Sequence, residues 1–216
     1  IGSSLADPAV LCLTVVGSNL VAGGCFETAG DVGATNIARW NGYAWHSLGD
    51  GIGGGEDYRV LALCANGGQV YAGGWFTNAG AVGVRSVARW DGLQWQKLGD
   101  GDSNGVNGIV RAMAMRGGQV YVGGSFSEAG GIAATNIARW DGGNWHALKA
   151  GAFNGIGGLF DMVTCLAVCG DDLYVGGSFT NAGGAGVQHI ARWTGAGWAT
   201  LEEGVNGDDS DPYPFA

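Results

Sequence analysis

The sequence predicts an all-β protein made of four copies of one four-stranded unit, and three observations carry that prediction. Tryptophan recurs at Trp40, Trp90, Trp140 and Trp193, and a second series at Trp45, Trp95, Trp145 and Trp198 follows each of these by five residues. This is an internal repeat of about 50 residues that covers essentially the whole chain. Within each repeat the hydrophobic pattern alternates with a period of two, the strand period, and no capped helical stretch interrupts it. Glycine fills 45 of 216 positions, yet nine Trp, seven Phe and six Tyr accompany it and only 13% of residues are charged. Disordered chains are poor in aromatics and rich in charge, so this glycine belongs to turns and close packing.

The first strand reads VLCLTVV from Val10, VLALCAN from Val60, VRAMAMR from Val110 and VTCLAVC from Val163. One face carries the small residues Cys12, Ala62, Ala112 and Cys165, and the other carries Leu13, Leu63, Met113 and Leu166. Neither face is polar, so this strand is expected to be buried on both sides. A tight turn follows, NGGQ at Asn66 and RGGQ at Arg116, where paired glycines supply the positive φ of a two-residue hairpin. The second strand ends in Gly-Gly: LVAGGCF, VYAGGWF, VYVGGSF and LYVGGSF. Glycine is poor strand material and marks close approach of another group, for which the tryptophans are the expected occupants. After a glycine-rich loop, IARW (VARW in the second unit) forms the third strand. NG or DG turns at Asn41, Asp91 and Asp141 then lead to a fourth strand that starts at the second Trp.

Each unit is therefore a four-stranded antiparallel meander, and radial repetition of such units makes a β-propeller. The chain reads as a single propeller domain over 1–216, with blades at about 10–51, 60–101, 110–151 and 163–204 and a tail at 205–216. Ile1-Gly2 resembles the inter-blade sequence at Ile52, and GVNG from Gly204 resembles GVNG at Gly105. The four blades make either a four-bladed ring or a segment of a larger ring completed by more chain or by a second copy. The doublet glycine, the spaced aromatics and the period resemble kelch-like and galactose-oxidase-like propeller repeats. More closely, YVGGSFTNAGG, IARWDG and the following Trp are similar to repeats of large secreted bacterial proteins of unknown function and of the fungal cell-polarity cortical marker family. That resemblance spans about nine-tenths of the chain. It implies a secreted, periplasmic or cell-surface location and a non-catalytic role in display or adhesion, although one fold hosts many functions.

The formal charge of −9 argues against nucleic acid, which needs a basic footprint. No apolar run approaches the ~18 residues of a membrane span, so membrane insertion is not expected. The chain begins at Ile1 without Met or signal peptide, so an export signal has been removed or the sequence is a piece of something longer. The cysteines number five, which leaves at least one unpaired within the chain. Cys165 and Cys169 lie about 13 Å apart along a strand, beyond disulfide reach, and the set is read as small buried hydrophobes.

Arg39, Arg89, Arg139 and Arg192 recur in every third strand beside Trp40, Trp90, Trp140 and Trp193. We read them as structural, stacked on Trp or paired with a carboxylate, with Asp50, Asp100 and Glu203 as the matching acids. Asp100, Asp102 and Asn104 match the first half of a calcium loop, D-x-[DN]-x-[DN]-G, but Gly108 and Arg111 stand at its ninth and twelfth positions. They are the candidate calcium ligands, and no other cofactor is indicated. His46 and His146 occupy one repeated position, too far apart to share a metal. The repeated acids look equivalent, where glycosidases need two in distinct environments, and no GxSxG elbow occurs. The chain is thus read as a non-enzyme, with an oxidoreductase or hydrolase as the third reading.

Function is sought where the repeats differ. The connector AGAFNGIGGLFDM is three residues longer than its counterparts and brings Phe153, Leu159, Phe160 and Met162 into a loop, and the tail adds Tyr213 and Phe215. Apolar residues on loops mark contact surfaces, so the leading expectation is protein–protein interaction with other subunits or a second copy. Trp75 replaces the Cys25, Ser125 and Ser178 of the other units and is the candidate stacking platform for a glycan, the lectin-like alternative.

Overall fold

A computed structural model describes residues 8–54, 57–157, 161–202, 204 and 205. Each repeat forms one four-stranded antiparallel sheet in meander order. Sheet one holds β1 (Ala9–Val16), β2 (Asn19–Cys25), β3 (Ile37–Trp40) and β4 (Trp45–Ser47). Sheet two holds β5 (Arg59–Asn66), β6 (Gln69–Trp75), β7 (Val87–Trp90) and β8 (Trp95–Lys97). Sheet three holds β9 (Ile109–Arg116), β10 (Gln119–Ser125), β11 (Ile137–Trp140) and β12 (Trp145–Ala147). Sheet four holds β13 (Met162–Cys169), β14 (Asp172–Ser178), β15 (Ile190–Trp193) and β16 (Trp198–Ala199). Among the described residues there is no α-helix, only a 3-10 turn at Gly101–Ser103. The all-β architecture of successive four-stranded sheets is compatible with a propeller-like fold.

Between its second and third strands each repeat raises a two-residue hairpin arm, such as Asn78–Ala79 on Val82–Gly83. The connector from the preceding repeat docks on that arm, Ile52 opposite Ala79, Val106 opposite Ala129 and Ile156 opposite Ala182. Consecutive repeats are thereby stitched through their backbones.

The apolar core lies between the sheets. One cluster joins Val21, Ile37, Leu48 and Ile52 to Val60, Phe76 and Trp95 across sheets one and two. A second joins Cys64, Tyr71 and Leu98 to Val110, Val122 and Trp145, and a third joins Tyr121, Ile137 and Leu148 to Val163, Val175 and Phe179. Four sheets give three such interfaces and leave two end faces.

The two glycines of each pair serve different neighbours. A Cβ on Gly73 would sit 2.5 Å from Val110 Cγ1 and 2.8 Å from Met113 Sδ, both in the next sheet. Gly23 stands in the same way against Val60, and Gly123 against Val163. The second glycines, Gly24, Gly74, Gly124 and Gly177, lie on the carbonyls of Ala9, Arg59, Ile109 and Met162, where the first strand carries a register shift. The space above the first glycine is therefore filled by a valine of the next first strand and not by tryptophan. The tryptophans pair with each other, ring centroids 5.2–5.5 Å apart.

Burial of the first strand on both faces holds only for the inner sheets. Val60 and Val110 are 0% exposed, whereas Val10 is 58% and Leu13 57% exposed. In β13 it is the opposite face, with Cys165, Ala167 and Cys169, that stands open. The strands share one sequence pattern, and only the presence of a neighbour decides their burial.

Candidate functional site

The third strands place the four arginines half-buried at one level of each sheet. Arg192 Nη1 pairs with Asp172 Oδ2 at 3.3 Å, and Arg139 Nη1 donates to Gln119 Oε1 at 3.0 Å. The partners come from the start of the second strand and not from the Asp50 and Asp100 position; Glu203 lies outside the described residues. The turn after each third strand closes on its own side chain. Asp141 Oδ1 accepts the N–H of Gly143 and Asn144, as Asn41 and Asp91 do at their turns. The other carboxylate oxygen, Asp141 Oδ2, lies 2.6 Å from His146 Nε2. Gln96 takes the same place on Asp91, and Asn41 Nδ2 donates to His46 Nε2. The two histidines are turn clamps. Backbone N–H groups of Asn144 and then Gly143, with His146 behind them, hold the Asp141 carboxyl well below the usual carboxylate range.

Sequence reasoning passed over the residue before each third strand. Asn36, Ser86, Asn136 and His189 all have φ near 60°. Buried Asn136 accepts Phe126 N–H and donates to Ile156 O, tying the sheet to its connector. Asn104, a candidate calcium ligand, is 5% exposed and does similar work: its Oδ1 accepts Arg85 N–H at 3.1 Å and its Nδ2 donates to Gly101 O. The Asp102 side chain lies outside the described residues, and Asp100 precedes the 3-10 turn without capping it. Among the described residues no cluster of three His, Cys, Asp or Glu side chains forms.

Trp75 is 44% exposed, its ring 6.3 Å from that of Tyr58, above a groove of about 160 Å³ that Thr77, Arg85 and Asn107 also line. Phe153 is 55% exposed, yet one edge of its ring covers Gly184, where a Cβ would meet Cδ2 at 2.5 Å. Its loop thus leans on sheet four, and Met162 starts β13. Leu159, Phe160, Tyr213 and Phe215 lie outside the described residues. Cysteine burial is mixed: Cys64 is buried and its thiol is pushed up to about 12 by desolvation, while Cys165 and Cys169 are exposed, against the expectation of five buried hydrophobes.

Apolar side chains of a first strand stand open on the outer face of sheet one. Val10, Leu13 and Val15 form one open stripe on sheet one. Beside it lies a hollow of about 240 Å³, lined by Val10, Phe26, Ala29, Ala38 and Trp45 among others.

No family model matches the chain, and no curated protein matches it. Among solved structures it is similar to the crystal structure of the computationally designed Ika4 protein, with a TM-score of 0.50 and 17% identity over 89% of this chain and 98% of that one. At that identity the likeness speaks for the fold alone.

Proposed function

We propose that the chain is a non-catalytic propeller, its four sheets serving as blades, that acts as a structural and protein-interaction module in a secreted or surface setting. The observation that carries this reading is the open apolar stripe of Val10, Leu13 and Val15, at 58, 57 and 65% exposure, on a strand whose inner counterparts are covered by a neighbouring sheet. Exposed contiguous apolar surface of this kind marks a contact face. The repeated arginines, histidines and turn acids support it, because each described pairing is a bracket within one repeat. A second reading, a lectin-like module, rests on Trp75 beside Tyr58 and the polar Thr77 and Asn107, an aromatic platform with hydrogen-bonding neighbours. Parallel assays separate the two: chemical cross-linking of the native chain to protein partners, and a glycan array. Protein cross-links lost in a Val10→Asp/Leu13→Asp variant support the module. Glycan binding abolished by Trp75→Ala, with cross-links absent, overturns it in favour of the second reading.

A further inference from the structure

The two end faces of the stack are complementary. Every inner joint is made from three contacts: a valine knob over a glycine, an indole N–H on a leucine carbonyl, and a connector residue on a hairpin arm. Val110 covers Gly73, Trp145 Nε1 donates to Leu98 O at 2.9 Å, and Val106 lies opposite Ala129. The joint before it uses Val60 on Gly23, Trp95 on Leu48 O and Ile52 on Ala79, and the joint after it uses Val163 on Gly123, Trp198 on Leu148 O and Ile156 on Ala182.

Among the described residues, sheet one holds one half of each contact unused. Val10 projects into solvent, the Trp45 indole N–H donates to no described residue, and the Ala29 arm has no third strand among the described residues. Sheet four holds the other half. Among the described residues Gly176 has no valine above it, and its own Cys165 Sγ stands nearest at 2.6 Å. Leu201 is partly exposed, although Leu48, Leu98 and Leu148 are buried. Val205 docks on Gln188 O as Ile156 docks on Thr135 O, but it is 61% exposed where Ile156 is 0%. The 240 Å³ hollow on sheet one corresponds to the place where Phe76, Ala79, Ala88 and Trp95 enclose Leu48 and Ile52 in the inner joint. Leu201 and Val205 hold the positions of Leu48 and Ile52 in the fourth repeat.

Building on the propeller and interaction reading above, we propose that the chain joins head-to-tail with a second copy of itself, two four-blade stacks closing one eight-bladed ring. The occupant of each open face must present the three contacts in the same spacing, and the chain carries them on its own opposite end. A head-to-tail interface either closes a ring or propagates a filament. Propellers close with about four to eight blades. Among the described residues a single stack leaves both faces open, and two stacks reach the upper end of that range, so two copies satisfy both joints.

Light scattering tests this on the 216-residue chain. The expected mass is twice the 21.9 kDa of one chain. Val10→Asp/Leu13→Asp spoils the head, and Gly176→Leu spoils the tail; each variant alone is expected at 21.9 kDa with the wild-type circular dichroism spectrum. Mixed, they retain one intact head and one intact tail, so the doubled mass returns at higher concentration. Misfolded variants could not complement each other in this way. Cys165, which the joint covers, is alkylated more slowly in wild type than in either variant. A wild-type mass of 21.9 kDa overturns the second copy. A concentration-dependent ladder of larger species overturns the closed ring. A monomer that still cross-links to another protein through Val10 leaves the interaction reading standing, and a monomer that binds only glycan removes both.

Discussion

The glycine pairs offer the sharpest test of how the sheets are held. Gly73→Ala places a Cβ 2.5 Å from Val110 Cγ1, 3.1 Å from Val110 Cβ and 2.8 Å from Met113 Sδ. Ordinary carbon contacts fall near ~3.5–4.0 Å, so the overlap is about 1 Å. Met113 can swing away, but the branched Val110 is stiff at χ1 and its own Cβ is in the way. Sheets two and three must separate, an overpacking cost of about 1–3 kcal/mol. For a chain of this size that lowers Tm by roughly 2–12 °C, at ~2–4 °C per kcal/mol. Gly176→Ala is the same substitution at the same strand position, and its one close neighbour among the described residues is Cys165 Sγ, which rotates into solvent. Its cost stays within about 0.5 kcal/mol. Thermal unfolding followed by tryptophan fluorescence compares the two, each in a Val10→Asp/Leu13→Asp background that keeps single chains. Equal losses at 73 and 176, or none at 73, would refute inter-sheet packing as the reason for the first glycine.

Further outcomes follow from the same geometry. In that single-chain background Cys165 and Cys169 react rapidly with a thiol reagent near neutral pH, while Cys64, with its thiol pushed up to about 12, reacts only on unfolding; a titration under native and denaturing conditions reads this. Asn136→Ala loses two buried hydrogen bonds and sets alanine at φ 61°, at a cost of roughly 2–4 kcal/mol. Asn136→Gly recovers only the backbone part, which denaturant midpoints for the two variants measure. Asp141 is depressed in the folded chain, so its contribution is complete above the unfolded carboxylate value of ~3.9 and is lost as pH falls through the lower folded value. Asp141→Asn keeps the backbone acceptor, as Asn41 does, and removes the charge. Its stability therefore falls less than wild type in strong acid, a difference that acid-unfolding curves report.

Much of the fold was legible because it is local. The period, the alternating strands, the Gly-Gly hairpins at Gly67 and Gly117, and the NG and DG turns are decided within a few residues. What escaped is contact between repeats. The sequence shows that Gly73 leaves space, but Val110, the residue that enters it, lies 37 positions away in a pattern with nine tryptophans. Asn104 looked like a calcium ligand because its spacing fits a loop motif, and only the fold shows Arg85 N–H in the ligand's place. His46 and His146 were legible as one repeated position too far apart to share a metal, but their task was not, and the structure makes them equivalent to Gln96. The difference between β1 and β5 could not be read from either strand, since it depends on what stands beside them.

That last point governs function as well. In a stacked repeat each unit is stabilised by its nearest neighbours, and the end units differ from the inner ones in what they leave unsatisfied. Stacks that remain single usually end in units whose outer face has turned polar. Here Val10, Leu13 and Val15 keep the inner pattern at one end, and Gly176 keeps its hollow at the other. Among the described residues neither end face has been rewritten as a cap. At about 25 cal/mol per Å² of apolar area, covering one such stripe is worth several kcal/mol. Association would gain that term twice in a ring and once per joint in a filament. The complementing pair of variants measures the single joint, the wild-type chain measures both, and a wild-type ring little tighter than the variant pair would mean that the second joint does not form.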